Sequence, residues 1–235
     1  MKRRVVVTGL GALTPLGNSL HESWEAAIAG KSGIGLITKF DSTAFKTKIA
    51  GEIKNFDPLQ YVSKQEARRY DNFLLYSIAA SEMALADARL TIGSDISERT
   101  GVIIGSAIGG LATLEEEFKN LLDSGPRKIS PFAVPAILAN LASGQVSIKH
   151  GLKGPNHSVV TACSTGAHAI GDASRLIMLG DADVMVAGGT ESPIGRMSLA
   201  GFAACRALST SYNDDPQRAS RPYDKDRDGF VLGEG

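Results

Sequence analysis

Short runs of β-branched and other apolar residues recur along the chain, most of them followed by glycine. Such near-continuous apolar runs are typical of strands that are buried on both faces of a sheet. They predict strands at 5–9, 102–105, 158–161 and 184–189. Helical apolar spacing and a high alanine content predict helices at roughly 19–29, 64–89, 112–122, 133–148 and 164–179. This alternation of strands and helices indicates an α/β layered fold.

The size and composition of the chain are those of a globular protein. Its 235 residues are 43% hydrophobic, which is ample for a buried core. Lysine and arginine together number 25, as do aspartate and glutamate, so the formal net charge is zero. A neutral chain is not a general polyanion binder, and we expect no nucleic-acid partner, although a local basic patch remains open.

The cysteine content and the amino terminus indicate a cytoplasmic protein. Two cysteines, Cys163 and Cys205, are too few for a disulfide framework, and no metal-type C-x-x-C spacing is present. The three valines that follow the basic residues at the start are too short for the apolar region of a signal peptide. No window approaches the roughly 20 apolar residues of a membrane-spanning helix.

A glycine-rich turn at 9–17 follows the first predicted strand and invites comparison with dinucleotide-binding turns. Thr14 stands where the third glycine of G-x-G-x-x-G is required. No strand ending in an acidic residue for a ribose follows about 20 residues later. We therefore do not expect a dinucleotide site.

The last residues of the sequence resemble the start of an element. A polar turn at 221–229 leads into the apolar residues Phe230, Val231 and Leu232, and the sequence ends at Gly235. Three apolar residues are about half of a usual strand. We expect the protein to be truncated at this point.

Cys163 is the strongest candidate for a nucleophile. It lies where the β-branched run 158–161 ends and the small-residue helical pattern of 164–179 begins. The free N–H groups at the start of a helix stabilise a thiolate and can also bind an oxyanion. Small residues around the cysteine allow close approach of a substrate. No predicted strand precedes Cys205, which we interpret as structural.

None of the four histidines is expected to form a local dyad with Cys163. His168 is five residues further along the same helix, about 140° around its axis. His157 is six residues earlier along a strand, about 20 Å away. We interpret His150 and His21 as surface residues.

Residues 161–168, Thr-Ala-Cys-Ser-Thr-Gly-Ala-His, closely resemble the nucleophile motif of the β-ketoacyl-[acyl-carrier-protein] synthases. The resemblance extends over essentially the whole chain and is closest to the synthase II type within that family. The other segments that resemble the family are 4–11, 105–110, 125–132, 180–189 and 224–231.

The resemblance implies a thiolase-like fold, in which two similar βαβαβαββ halves stack as a five-layered sandwich and usually form homodimers. The chain, 1–235, matches the N-terminal half. In the family, Cys163 would accept an acyl group from acyl carrier protein, and decarboxylation of malonyl-carrier would elongate it by two carbons. The family's two catalytic histidines and lysine lie beyond residue 235, so we expect the chain alone to be incompletely active.

The resemblance also implies a pocket and a partner surface. Ile108 matches a residue that gates the acyl pocket, and Phe202 resembles a pocket-wall residue. Ala133 replaces the second aromatic that often follows the residue matching Phe132, which leaves the preferred chain length open. No metal or cofactor is implied beyond the phosphopantetheine of the carrier protein.

Cations are grouped where an acidic carrier protein could dock. Lys64, Arg68 and Arg69 are spaced i, i+4 and i+5, which predicts a cluster on one flank of a helix, and a solvated face is the alternative explanation. The candidate carrier-binding residues are Lys64, Arg68, Arg69, Arg127, Lys128 and Arg206.

Three other functions remain open. A non-catalytic partner of the chain-length-factor kind would shape a pocket in a heterodimer, but such partners typically lack the cysteine. A thiolase-fold relative that uses coenzyme A has similar thioester chemistry. Polyketide-type ketosynthases usually follow the cysteine with Ser-Ser-Ser, whereas here Ser164 is followed by Thr165 and Gly166.

Overall fold

A three-stranded parallel sheet organises the computed structural model, which describes residues 3–235. The strands are β1 (Gly35–Leu36), β2 (Ile49–Ala50), β3 (Thr100–Gly105), β4 (Asn156–His157) and β5 (Val184–Gly189). The helices are α1 (Leu20–Ile28), α2 (Lys64–Ala67), α3 (Asn72–Asp87), α4 (Ser94–Ser97), α5 (Leu111–Ser124), α6 (Ala133–Ile137), α7 (Leu141–His150), α8 (Thr165–Leu179) and α9 (Arg196–Ala204). The sheet order is β4-β3-β5. Among residues 3–235, no helix is both long and apolar enough to cross a membrane.

Side chains of β3 alternate between the two faces of this sheet, and helices cover each face. Val102 and Ile104 pack in a core cluster with residues of α3 and α7. Ile103 points to the opposite face, where it packs on Ala169 and Ala173 of α8. The predicted layered α-β-α arrangement is therefore present.

The antiparallel pair β1 and β2 belongs to a second core cluster. Ala50 of β2 packs there with Leu199 of α9 and with Leu232. The Gly51 N–H donates to the Leu232 carbonyl at 2.8 Å, and the Glu234 N–H donates to the Gly51 carbonyl at 3.1 Å. The last residues of the chain are thereby held beside β2.

Two predicted helices are each divided in two. The predicted helix 64–89 is α2 and α3, because the carboxylate of Asp71 accepts a hydrogen bond from the Phe73 N–H and starts a new helix. The predicted helix 133–148 is α6 and α7, because Leu138 takes an extended conformation. The predictions for α1, α5 and α8 agree with the structure to within a few residues.

Two predicted strands differ more. Residues 5–9 form no strand, and among the described residues they make no backbone-to-backbone hydrogen bond. A strand needs a neighbour for its ladder, and here Gly9 instead packs on α3, where a β-carbon would collide with the Ala84 carbonyl. The predicted strand 158–161 pairs only just before it begins, at Asn156 and His157.

Gly105 allows the start of α8 to approach the end of β3. A β-carbon at this position would collide with the Thr165 methyl group and with the Val159 carbonyl oxygen. Gly105 is itself fully within the buried strand. Val159 and Thr165, on either side of Cys163 in the sequence, therefore pack directly on the backbone of Gly105.

We expect Gly105→Ala to lower the free energy of unfolding by ~1–3 kcal/mol, because overpacking forces the backbone of β3 and α8 apart. Urea unfolding followed by circular dichroism measures the change. Gly188→Ala in β5 is the matched control, because a β-carbon there meets no atom within 4 Å. Equal stability of the two variants would contradict the close approach.

An ion-pair group joins the start of the chain to the start of β5. Asp183 accepts hydrogen bonds from Arg99 (3.0 Å to Nε) and from Arg3 (2.6 Å to Nη1). The hydrogen bond from Arg99, and then the weaker effect of the hydrogen bond from Arg3, lower the pKa of Asp183 from 3.8 to about 2. A carboxyl group with a lowered pKa in the folded state stabilises the fold above its unfolded pKa, and this contribution is lost as pH falls.

We therefore expect Asp183→Asn to lower the melting temperature at pH 7, with the difference from the unmodified chain disappearing as pH falls from about 4 to about 2. Thermal unfolding at several pH values measures this. Asp214→Asn, at an exposed residue with no side-chain hydrogen bond among the described residues, should leave the melting temperature unchanged at every pH. A pH-independent effect of Asp183→Asn would rule out the ionic explanation.

Candidate active site around Cys163

Cys163 lies in a one-turn 3-10 helix, Ala162–Ser164, that connects the region after β4 to α8. Ala162 has a φ of 53°, a left-handed conformation that is unusual for a residue with a side chain. Hydrogen bonds hold this bend: the Thr161 N–H donates to Thr165 Oγ1 at 2.8 Å, and Ser164 Oγ donates to the Thr161 carbonyl at 2.7 Å. The bend presents an exposed thiol at Cys163.

The thiol immediately precedes the amino terminus of α8, a helix of 15 residues. Its N-cap residue, Ser164, makes no side-chain hydrogen bond to the first turn. The first N–H groups of a helix have no partner within the helix, and they carry partial positive charge. An oxyanion formed at Cys163 would therefore lie at the partly positive end of α8.

A cavity of about 630 Å³ opens beside Cys163. Ile108 and Phe202 line it, so the structure brings the predicted nucleophile and both predicted pocket residues to one cavity. Phe230 and Leu232 from the last part of the chain contribute further apolar surface. Phe202 and Phe230 pack edge to face, with ring centroids 5.3 Å apart. An apolar cavity of this size suits an acyl chain.

Two carboxylates at this cavity escape prediction from the sequence. The side chain of Glu234 is fully buried and forms an ion pair with Lys39. It also accepts hydrogen bonds from Ser192 Oγ (3.2 Å) and the Ile53 N–H (3.2 Å). Burial, followed by the charge of Glu234, raises the pKa of Tyr76, whose hydroxyl lies 3.4 Å from the carboxylate. This network joins the wall of the cavity to the rest of the fold.

Glu191, the second carboxylate, lies just beyond β5. Its Oε1 accepts hydrogen bonds from Ser106 Oγ at 3.0 Å, from the Ala107 N–H, and from the Ile108 N–H at 3.4 Å. Burial raises the pKa of Glu191, while these hydrogen bonds oppose the shift. The only sequence signal is an acidic residue two positions after an apolar strand that ends in two glycines, which does not identify its partners.

In the part of the chain that the structure describes, no histidine side chain is hydrogen bonded to Cys163. His168 Nδ1 is hydrogen bonded to Thr161 Oγ1 at 2.7 Å, and His157 and His21 are exposed. The expectation that His150 is a surface residue is wrong: it is half-buried, and burial, followed by the charge of Lys149, lowers its pKa. Cys205 is exposed at the end of α9. Among residues 3–235, no three His, Cys, Asp or Glu side chains are arranged to hold a metal ion.

The predicted basic residues lie outside the cavity lining. The helix predicted to carry three of them ends early, so Arg68 caps α2 and Arg69 follows it. The guanidinium of Arg69 lies 4.1 Å from the centre of the Phe132 ring, which joins the α2 region to the segment after α5. Within the described chain, none of the six forms an ion pair with a side chain. The six are Lys64, Arg68, Arg69, Arg127, Lys128 and Arg206.

Comparison with known proteins places this geometry in a family. A model of the beta-ketoacyl synthase N-terminal domain matches residues 2–235. The chain belongs to the beta-ketoacyl synthase family. It is 57% identical over 241 residues to 3-oxoacyl-[acyl-carrier-protein] synthase 2 of Rhizobium meliloti (strain 1021), covering 99% of this chain and 57% of that protein. The protein of the same name from Vibrio cholerae serotype O1 (strain ATCC 39315 / El Tor Inaba N16961) is 54% identical, over 100% of this chain and 56% of that protein.

Solved structures of synthases share the fold. A beta-ketoacyl synthase from Burkholderia phymatum STM815 superposes with a TM-score of 0.88 at 33% identity, over 100% of this chain and 57% of that chain. The ishigamide ketosynthase/chain length factor gives a TM-score of 0.88 at 29% identity, over 100% of this chain and 57% of that chain. These matches confirm the thiolase-like fold class. The chain spans a little over half the length of the relatives that it matches.

Proposed function

We propose that this chain is the nucleophile-bearing domain of a 3-oxoacyl-[acyl-carrier-protein] synthase that elongates fatty acyl chains. The observation that carries the proposal is the exposed Cys163 thiol at the start of α8, beside an apolar cavity lined by Ile108 and Phe202. The names of the relatives that are 54–57% identical over nearly the whole chain support the same reaction.

The first step is a thioester exchange. The Cys163 thiolate attacks the carbonyl carbon of an acyl thioester on phosphopantetheine, and the N–H groups at the start of α8 stabilise the oxyanion. The carbon–sulfur bond to phosphopantetheine then breaks, and the released thiolate takes a proton from solvent. The acyl chain remains on Cys163 and occupies the cavity.

The second step is a decarboxylative condensation. Malonyl-carrier loses carbon dioxide, the resulting carbanion attacks the acyl carbonyl on Cys163, and the cysteine leaves as a thiolate. The product is a 3-oxoacyl chain that is two carbons longer. Enolate formation requires positioned donors, and His168 is engaged with Thr161. We propose that the chain supports the first step and that the second requires the family's histidines and lysine, outside these 235 residues.

Acyl carrier protein is the proposed partner, with phosphopantetheine as the group that it carries. An acidic carrier would be steered by exposed cations, of which Arg127 and Lys128 form an adjacent pair in a short 3-10 helix. A solved type II polyketide ketosynthase in complex with its acyl-carrier protein is 33% identical to this chain, with a TM-score of 0.85 over 99% of it. We propose a cytoplasmic homodimer for the whole synthase, as the family resemblance implies.

The polyketide and chain-length-factor alternatives have weaker support. Their representatives among the solved structures are 29–33% identical, whereas the relatives that are 54–57% identical are named 3-oxoacyl-[acyl-carrier-protein] synthase 2. Cys163 itself argues against a non-catalytic partner, because such partners typically lack the nucleophile.

Incubation with a series of acyl-carrier proteins of increasing chain length should add a single acyl group to Cys163, since the first step needs only the thiol, the helix terminus and the cavity. Intact mass spectrometry measures the adduct. Cys205→Ser should keep it, because Cys205 lies outside the cavity lining, and Cys163→Ser should abolish it. No adduct on a chain that is folded by circular dichroism would contradict acyl transfer by this domain.

We expect Arg127→Glu to weaken binding of acyl carrier protein roughly fivefold at low salt, with a smaller effect at high salt, because rim charges act mainly through steering. Surface plasmon resonance at two salt concentrations measures the dissociation constants. Arg175→Glu on α8 reverses the charge of a similarly exposed arginine and should leave binding unchanged. The same dissociation constant for Arg127→Glu and the unmodified chain at low salt would remove Arg127 from the docking surface.

A further inference from the structure

We infer that Glu191 is a positioning residue that determines how long a chain the Cys163 cavity admits, by holding the loop that carries Ile108. This inference rests on the proposed function, because it gives the cavity the role of an acyl site. Glu191 lines the same cavity as Cys163 and Ile108. Glu191 is hydrogen bonded to the loop after β3, and we propose that it affects the cavity only by fixing the position of Ile108.

The loop between β3 and α5 depends on Glu191 for its hydrogen bonds. Three donors from consecutive residues converge on Oε1: Ser106 Oγ, the Ala107 N–H and the Ile108 N–H. Ser106 Oγ is fully buried and also accepts a hydrogen bond from the Gly109 N–H at 2.9 Å. A single carboxylate oxygen therefore accepts the backbone N–H groups of Ala107 and Ile108 and the hydroxyl that in turn accepts the Gly109 N–H.

The backbone of Glu191 is itself held firmly. Its N–H donates to the Gly235 carbonyl at 2.7 Å, and its carbonyl accepts from the Gly235 N–H at 3.0 Å. It also follows directly after Thr190, whose hydroxyl donates to the Phe73 carbonyl of α3 at 2.8 Å. The backbone that carries the carboxylate is thus held in place, whereas the loop residues that bind it belong to no strand pairing.

The Glu191 carboxylate is buried, which makes its charge unfavourable unless it is hydrogen bonded and makes its hydrogen bonds to the loop stronger. Oε2 of Glu191 is buried and has no hydrogen-bond partner among the described residues. A buried carboxylate is expensive to retain, and hydrogen bonds to a charged group are worth more than those between neutral groups. Removing the carboxylate leaves the Ala107 N–H without its acceptor, so the loop must turn to find another. Ile108 then no longer holds its position on the cavity wall.

The test uses alkyl methanethiosulfonates of increasing chain length on the Cys205→Ser chain, so that only Cys163 reacts. Each reagent forms a mixed disulfide with the thiolate and releases methanesulfinate, which requires no acyl transfer. The measured quantity is the rate for the decyl reagent divided by the rate for the methyl reagent. Failure of acyl transfer would sink the proposed function and leave this readout intact.

We expect Glu191→Ala to raise the decyl-to-methyl ratio about fivefold, because Ile108 leaves the cavity wall. Ser106→Ala removes one donor with a smaller change of volume and should raise the ratio at least twofold, which keeps the test decisive if Glu191→Ala does not fold. Glu52→Ala is the matched control. Glu52 is also a buried carboxylate that accepts two backbone N–H groups and a hydroxyl, from Thr38 and Lys39, but it lies outside the cavity lining.

A double-mutant cycle separates positioning from general loosening of the fold. In an Ile108→Ala background, Glu191→Ala should leave the ratio unchanged, because the side chain through which it acts is absent. A ratio within twofold of the unmodified chain for the folded Glu191→Ala and Ser106→Ala variants would overturn the inference. So would an equal rise in the Glu52→Ala control, or the full Glu191→Ala effect in the absence of Ile108.

Discussion

The contact between α8 and the sheet is the constraint on which the rest of the site depends. Gly105 at the end of β3 leaves no side chain between the strand and Thr165, so the first turn of α8 lies directly on backbone. A second close backbone contact joins Gly166 of α8 to Gly189 of β5. A β-carbon on either glycine would come within 3.4 Å of the other. Because α8 cannot shift without breaking these contacts, the thiol before it has a fixed position.

The short-range features of the fold could be predicted from the sequence. The apolar runs of β3 and β5 are buried or half-buried strands, and the helical spacing of α5 and α8 identified both helices. Cys163 was identified because a strand pattern, a cysteine and a small-residue helix follow one another in the sequence. Each of these patterns is formed by residues that are adjacent in the sequence, so the sequence alone is enough to recognise it.

Features that depend on distant partners could not be predicted. Asp71 begins α3 by accepting the Phe73 N–H, and its other carboxylate oxygen accepts hydrogen bonds from the N–H and the hydroxyl of Thr113, 42 residues away. Residues 5–9 have the composition of a strand, but strand formation requires a neighbour that composition does not specify. The roles of Glu191 and Glu234 are defined by donors 83–85 and 42–195 residues distant, respectively. Their acidity, which suggests a surface residue, gave no indication of burial.

The unpaired segment at residues 5–9 has a consequence for the behaviour of the chain in solution. Val6 and Val7 are 61% and 76% exposed, and the backbone beside them makes no ladder within the described structure. Extended apolar backbone with free N–H and C=O groups is a template for strand addition by another molecule. A chain with no net charge has little long-range repulsion to keep such molecules apart. The open segment at residues 5–9 is therefore a place where strand addition between copies of the chain would begin.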